Sequence, residues 1–142
     1  MKRFSKSYKL SDKDEFIKKA ISLSKKKSNF ILLNSNDFSD TYDAIIAYDE
    51  LSSIKSKNNS LSKLDNYIKE KKDWVFGFLS YDLKNEIEIL NEKNIDVFDL
   101  PNVYFFQPKT IWLIKNNIAT IISINKDAVI NDWNEIISLT NF

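Results

Sequence analysis

The spacing of apolar residues along the chain predicts four helices. Ser11 is a suitable N-cap, because acidic residues follow it and apolar residues then recur at helical spacing. Asp82 can cap another amphipathic stretch in the same way. The apolar faces of the other two helices are predicted to consist of Leu61, Leu64 and Ile68 in one, and of Val129, Ile130, Trp133, Ile136 and Ile137 in the other.

Between these helices, short apolar runs rich in β-branched and aromatic residues are typical of strands. WVFGFLS is apolar at successive positions and is predicted to be a central strand, covered on both faces. VYFFQP is predicted to end at Pro108, and Asn116 and Asn117 are predicted to form a two-residue hairpin turn because asparagine tolerates positive φ. The other predicted strands are NFILLNS, YDAIIAYDEL, TIWLIK and IATIISI.

This mixture of helices with an antiparallel hairpin predicts an α+β fold, with a mostly antiparallel sheet or sandwich and flanking helices. The chain has 142 residues, of which 43% are hydrophobic, and it lacks repeats and Pro/Gly-rich linkers. Residues 1–142 are therefore predicted to form a single domain with its own core.

Composition excludes several chemistries. The chain has no cysteine and no histidine, so it cannot build Cys/His or Ser/His/Asp catalytic groups or metal sites with those ligands. Its single glycine, Gly77, excludes glycine-rich phosphate loops. No catalytic residue and no metal site are predicted in this chain.

The charges are balanced, with 21 basic and 20 acidic residues and a net charge of +1. The lysine-rich segments 25–27 and 69–72 lie at predicted helix ends, where cations complement the helix dipole, and aromatic residues do not alternate with them. No apolar run approaches the roughly 18 residues of a membrane span. Binding to nucleic acid or membrane is not predicted, and the expected location is the cytoplasm.

Gly77 lies inside an apolar strand, where glycine usually marks a bulge or a close approach of another backbone. We therefore predict that it permits close packing. Tyr81 and Asp82 follow, and they are predicted to fill the core edge and cap a helix. Asp82, Glu86 and Glu88 could hold a hard cation, but a solvated helix start is the favoured interpretation.

Four segments of the chain resemble segments of a known family. In WVFGFLSYDLKNEIE, the residues Gly77, Tyr81, Asp82 and Glu88 match a glycine-containing strand followed by Tyr-Asp and a later Glu, a motif of chorismate-utilising enzymes. LLNS, residues 32–35, resembles the Leu-Leu-Glu-Ser motif of the same family. LPNVYFFQPKTIWLI resembles a later family segment with Leu-Pro, Phe-Phe and Pro.

The fourth segment separates two branches of the family. In YDAIIAYDE, the residues Tyr42, Asp43 and Ala47 are similar to a strand of aminodeoxychorismate synthase component I, whereas anthranilate synthase component I usually has Tyr-Ser-Phe-Ile-Gly there. Asn34 replaces the usual Glu and Thr41 replaces a common Arg. A frequent double glycine is reduced to Gly77.

The resemblance implies the non-catalytic N-terminal domain of an aminodeoxychorismate synthase component I, whose larger C-terminal domain binds chorismate and Mg²⁺. The complete enzyme would use ammonia from a glutamine amidotransferase subunit to make 4-amino-4-deoxychorismate for folate synthesis. The alternatives are the regulatory domain of an anthranilate synthase component I, in tryptophan synthesis, and a free-standing binding module of the same fold.

The resemblance also implies a pocket for tryptophan. In this sequence it would involve Leu33, Asn34 and Ser35. Asn34 cannot supply the negative charge of the usual Glu, and Asn34 and Ser35 could simply end a strand. A serine hydroxyl could bond either the ammonium or the carboxylate of the ligand.

Overall fold

The structure is a computed structural model that describes residues 2–35, 41–80, 83 and 101–140. Its antiparallel six-stranded sheet has the order β1-β6-β5-β3-β2, and β4 pairs with β5 beside this path. With the three α-helices found in the described residues the fold is α+β, which confirms the predicted class. The elements are β1 Phe4–Lys9, α1 Lys13–Ser22, β2 Ile31–Asn34, β3 Ala44–Ser56, α2 Ser60–Lys71, β4 Phe76–Leu79, β5 Val103–Lys115, β6 Ile118–Ser123 and α3 Ala128–Ile137.

Contacts divide the chain into two compact units. The first unit comprises residues 1–50 and 108–142, and the second comprises residues 51–107. The single domain proposed from the sequence stays a prediction.

In the first unit, one face of the sheet is covered by α1 and α3, and we call it the helix-covered face. Because side chains alternate along a strand, every second residue of each strand points to this face. Trp112 of β5, which points to this face, is fully buried. The core packed on this face includes Ile46, Tyr48, Trp112, Ile114, Ala119 and Ile121 from the sheet, Phe16, Ile17 and Ala20 from α1, and Val129 and Ile136 from α3.

Aromatic rings occupy much of that core. Tyr8 stacks on Trp133 with ring centroids 4.2 Å apart, and Phe16 meets Trp112 edge-on at 5.2 Å. Such pairs contribute about 0.5–1.5 kcal/mol beyond their buried area. They join β1, β5 and both helices of the first unit.

The start of α1 corrects one prediction. Asp12, and not Ser11, is the N-cap, because its carboxylate accepts a hydrogen bond from the Glu15 N–H at 3.1 Å. Both residues have the side-chain oxygen that a cap requires, so the sequence pattern alone did not distinguish them.

In the second unit, α2 packs through Leu64 against Val103 and Leu83. Leu61 and Ile68, predicted to face inward, are exposed, so that prediction was wrong. Tyr67 is buried instead, and its hydroxyl lies 2.6 Å from the Ser52 hydroxyl. The hydrogen-bonded Tyr67 thus provides the buried surface that was assigned to Ile68.

The strand around Gly77 is also not central. Among the described residues β4 pairs only with β5, and Phe78 and Leu79 are 45% and 52% exposed. The continuous apolar run therefore does not reflect burial on both faces.

The close approach predicted at Gly77 is confirmed. A Cβ atom built on Gly77 would lie 1.9 Å from the Tyr104 carbonyl oxygen and 2.6 Å from Phe105 Cα. Gly77 does not adopt a positive φ, so its missing side chain and not its conformational freedom is what the position requires.

Pro108 does not end its strand. β5 continues from Val103 to Lys115, and Pro108 falls between the residues that pair with β4, 103–106, and those that pair with β6, 110–115. A proline is tolerated there because neither the pairing with β4 nor the pairing with β6 extends to its position.

The predicted hairpin is confirmed, since Lys115 and Ile118 are partners and Asn116 has a φ of 55°. β1 was not predicted from the sequence, because its only apolar residues are Phe4 and Tyr8. β1 and β2 form the ends of the strand order.

Glycine is not used for left-handed backbone in the described residues. The positions with positive φ are Asn29, Asp49, Asn59, Lys72 and Asn116. Lys72 follows α2 directly, with a φ of 49°, and its N–H donates to the Ile68 carbonyl at 3.1 Å. It occupies the C-terminal helix position where glycine is preferred.

We expect Gly77→Ala to lower the free energy of unfolding by about 3 kcal/mol, because the added Cβ collides with main-chain atoms that cannot rotate away. Urea denaturation measures the change. Leu79→Ala, at an exposed residue of the same strand, is the control and should cost less than about 1 kcal/mol. Equal stability of Gly77→Ala and wild type would contradict the close approach.

We expect Lys72→Gly to raise the free energy of unfolding by about 0.5–1 kcal/mol, because glycine adopts the left-handed conformation without strain. The neighbouring Lys71→Gly should have the opposite sign and cost about 1 kcal/mol, since Lys71 lies within α2. Thermal or urea unfolding of both variants checks this, and destabilisation by Lys72→Gly would refute it.

Candidate functional site

The three residues of the predicted ligand pocket do not all point the same way. Leu33 is opposite Ile45, and Asn34 is opposite Ala44, which belongs to the helix-covered core. Because side chains alternate, Leu33 lies on the other face of the sheet, which we call the second face. Asn34 is on the side of Ala44, away from Leu33.

Ser35 continues the pairing of β2 with β3 beyond the end of the strand. Its N–H donates to the Asp43 carbonyl at 3.0 Å, and its hydroxyl donates to the same oxygen at 3.0 Å. By the strand period, Ser35 shares the second face with Leu33. By this period, two of the three predicted pocket residues share one face of the sheet.

Asp43 makes hydrogen bonds and an ion pair with residues from other segments of the chain. Its Oδ2 accepts the Asn116 N–H at 2.7 Å and lies 3.5 Å from the Lys13 Nζ, while its own N–H donates to the Ile114 carbonyl at 2.8 Å. Asp43 therefore ties the end of β2 to the β5–β6 turn and to the first residue of α1.

The second face around Leu33 is apolar and partly open. Ile31 and Leu33 of β2 are opposite Ala47 and Ile45 of β3, and β3 is followed in the sheet by β5. Leu33 is 48% exposed, whereas Ala47 is fully buried. By the strand period, Ser35 lies at the end of this apolar surface.

The other residues of the family motifs are placed in part. Tyr42 is half-buried just before β3, and Gly77 lies in β4 of the second unit. Tyr81, Asp82 and Glu88 lie outside the described residues, so their predicted roles as core residue, cap and motif residue stay predictions. The same holds for Glu86 as a cation ligand.

Within the described parts of the chain, no group of three or more His, Cys, Asp or Glu side chains comes together to hold a metal ion. None of the described helices has the length and apolar character needed to cross a membrane.

Tyr48, Trp112 and Asp132 form a hydrogen-bonded group in the first unit. The Tyr48 hydroxyl donates to Asp132 Oδ2 at 2.6 Å and accepts from Trp112 Nε1 at 3.2 Å. Burial, together with the Asp132 carboxylate, raises the pKa of Tyr48 far above its ordinary value. A phenol that stays neutral and bonded on both sides ties α3 to the sheet and is not a base.

The sequence alone did not predict the contacts that Asp43 makes, or the part that Lys13 plays in them. In the sequence, Asp43 stands out only as part of the family-like segment that it shares with Tyr42 and Ala47. Ser35 directly follows β2 and Asp43 directly precedes β3, but the contacts of Asp43 with Asn116 and Lys13 join residues that are distant in sequence.

The chain matches no known protein-family model, and a search among curated proteins finds no relative.

We expect Tyr48→Phe to lower the free energy of unfolding by about 1–3 kcal/mol near neutral pH, because the indole N–H and the Asp132 carboxylate lose a buried partner. The pKa of Tyr48 is raised in the folded state. The stabilisation by its hydroxyl is therefore fully present below the pKa of tyrosine in the unfolded chain, about 10, and is lost as the pH rises above that value. Urea unfolding between neutral and alkaline pH measures both effects.

Above about pH 10, wild type should therefore lose stability more steeply than Tyr48→Phe. Tyr42→Phe is the control, since it leaves Tyr48 in place and should keep the wild-type slope. Parallel curves for wild type and Tyr48→Phe would contradict the assignment.

Proposed function

We propose that this chain is the N-terminal domain of a chorismate-utilising enzyme, an aminodeoxychorismate synthase component I, and that its own role is to bind tryptophan and dock the catalytic domain. The four motif segments are the basis for the family. No catalytic step is assigned to residues of this chain.

The observation that carries the ligand part of the proposal is that Leu33 and Ser35 lie on the same face of the sheet, the second face. An indole ring can pack on Leu33 and the apolar residues beside it, and the Ser35 hydroxyl lies at the polar end of the same surface. Ligand pockets combine such an apolar lining with few polar groups. Asn34 is left out of the proposed pocket because it lies on the helix-covered side.

The partly open second face also supports a docking role. Leu33 and Ile118 are 48% and 51% exposed, although neighbouring residues of the same sheet are fully buried. Exposed apolar side chains on a sheet face offer a contact for another domain or protein. The proposed occupant is the chorismate-binding domain of the same enzyme.

In the complete protein, that domain would bind chorismate and Mg²⁺, and a glutamine amidotransferase subunit would supply ammonia in the cytoplasm. The product would be 4-amino-4-deoxychorismate. The mass of the endogenous protein separates this proposal from a free-standing module, since a mass near the 16.7 kDa of this chain would contradict it.

We expect L-tryptophan to bind this chain with a dissociation constant in the range of roughly 1 μM to 1 mM, typical of a small ligand in a partly open site. Isothermal titration calorimetry measures the affinity. Leu33→Asp should abolish binding, because a charge replaces the apolar contact.

Asn34→Ala is the matched control, since it changes the neighbouring residue on the opposite side of the strand, and it should leave the affinity unchanged. Absence of tryptophan binding by the wild-type chain would refute the ligand part of the proposal.

A further inference from the structure

A cavity of about 320 Å³ opens on the helix-covered side of the first unit, where residues of both α1 and α3 line it. Its floor is apolar, because Leu10 and Phe16 are buried and the Trp133 ring lies beside the Phe16 ring with centroids 5.8 Å apart. Ile137 follows Trp133 by one helical turn and is exposed, so it lies where the cavity meets solvent. The volume is at the lower end of the roughly 300–1,000 Å³ of ligand pockets.

The charged side chains around this floor are already bonded within the chain. Glu15 Oε1 lies 3.2 Å from Lys19 Nζ, and the Lys19 ammonium also donates to the Ile137 carbonyl at 3.4 Å. The Asp12 carboxylate accepts the Glu15 N–H as the N-cap of α1. A charged ligand group would have to displace one of these bonds after losing its own water, whereas an uncharged ligand leaves them intact.

Lys9 is the remaining charged residue of the lining, and its side chain points away. It is opposite Ile118 in the pairing of β1 with β6, next to Tyr8, which belongs to the helix-covered core. Because side chains alternate along a strand, Lys9 extends towards the second face. The charges that a ligand meets in the cavity are therefore those of Asp12, Glu15 and Lys19.

We propose that this cavity is a binding site for an uncharged aromatic or alicyclic molecule, which packs on Phe16, Trp133 and Ile137. The apolar floor supplies the attraction, and the Glu15–Lys19 pair selects against a ligand with a net charge. The site lies on the opposite side of the sheet from Leu33 and is independent of the proposed tryptophan pocket.

The test uses two fluorescent probes that share one ring system. N-phenyl-1-naphthylamine is uncharged, and 8-anilinonaphthalene-1-sulfonate adds a sulfonate. The wild-type chain is titrated into a fixed low concentration of each probe, and the increase in probe fluorescence is measured. The uncharged probe should bind at least about tenfold more tightly than the sulfonate. Equal or tighter binding of the sulfonate, or no binding of the uncharged probe, would refute the site.

Two isoleucines of α3 test where the uncharged probe binds. Ile137 and Ile130 are 44% and 47% exposed on the same helix, but only Ile137 belongs to the cavity lining. Ile137→Gln should weaken binding about fivefold, since an apolar contact is lost, and the matched control Ile130→Gln should leave it unchanged. Leu33→Asp, on the second face, should also leave it unchanged. Equal weakening by both isoleucine variants would contradict the location.

A second pair of variants tests the charge selection. Glu15→Gln removes the carboxylate that balances Lys19, so it should strengthen binding of the sulfonate about fivefold and change that of the uncharged probe less than about twofold. Glu135→Gln is the matched control. It alters the net charge by the same amount, but Glu135 lies outside the lining and 4.0 Å from Lys26. Equal strengthening of sulfonate binding by both variants would contradict selection by the Glu15–Lys19 pair.

Discussion

The first unit of this protein depends on the way Asp43 is fixed. Its carbonyl accepts two hydrogen bonds from Ser35, its carboxylate accepts the Asn116 N–H, and its own N–H reaches Ile114. These bonds fix where β3 begins relative to β2 and to the β5–β6 hairpin. The direction of every side chain along β3 follows from that starting point, and the separation of the two sheet faces follows with it.

Much of the fold follows from the period of the apolar residues. The hairpin at Asn116 was predictable because its turn chemistry is local. β1 was not, since its stability comes from pairing with β6 along six residues and from Tyr8 stacking on Trp133. The continuation of β5 through Pro108 likewise depends on which partner strands need its N–H, and no local pattern contains that information.

The candidate site could be predicted from the sequence to a similar extent. The motif pointed to Leu33, Asn34 and Ser35, and the strand period of two already implies that Asn34 lies on the other side from its two neighbours. The environment of Ser35 was not predictable, because Asp43 and its partners Lys13 and Asn116 come from three separate segments. Only the folded structure shows that the Ser35 hydroxyl donates its proton to the Asp43 carbonyl.

The absence of glycine from the left-handed positions has a consequence for the durability of the protein. Asparagine occupies three of these five positions, and asparagine is a thermolabile residue. Asn116 is the critical one, because its N–H is bonded to the Asp43 carboxylate. Deamidation of Asn116 to aspartate would place a second negative charge beside Asp43. This one chemical change in the β5–β6 turn would weaken the contacts that fix the start of β3.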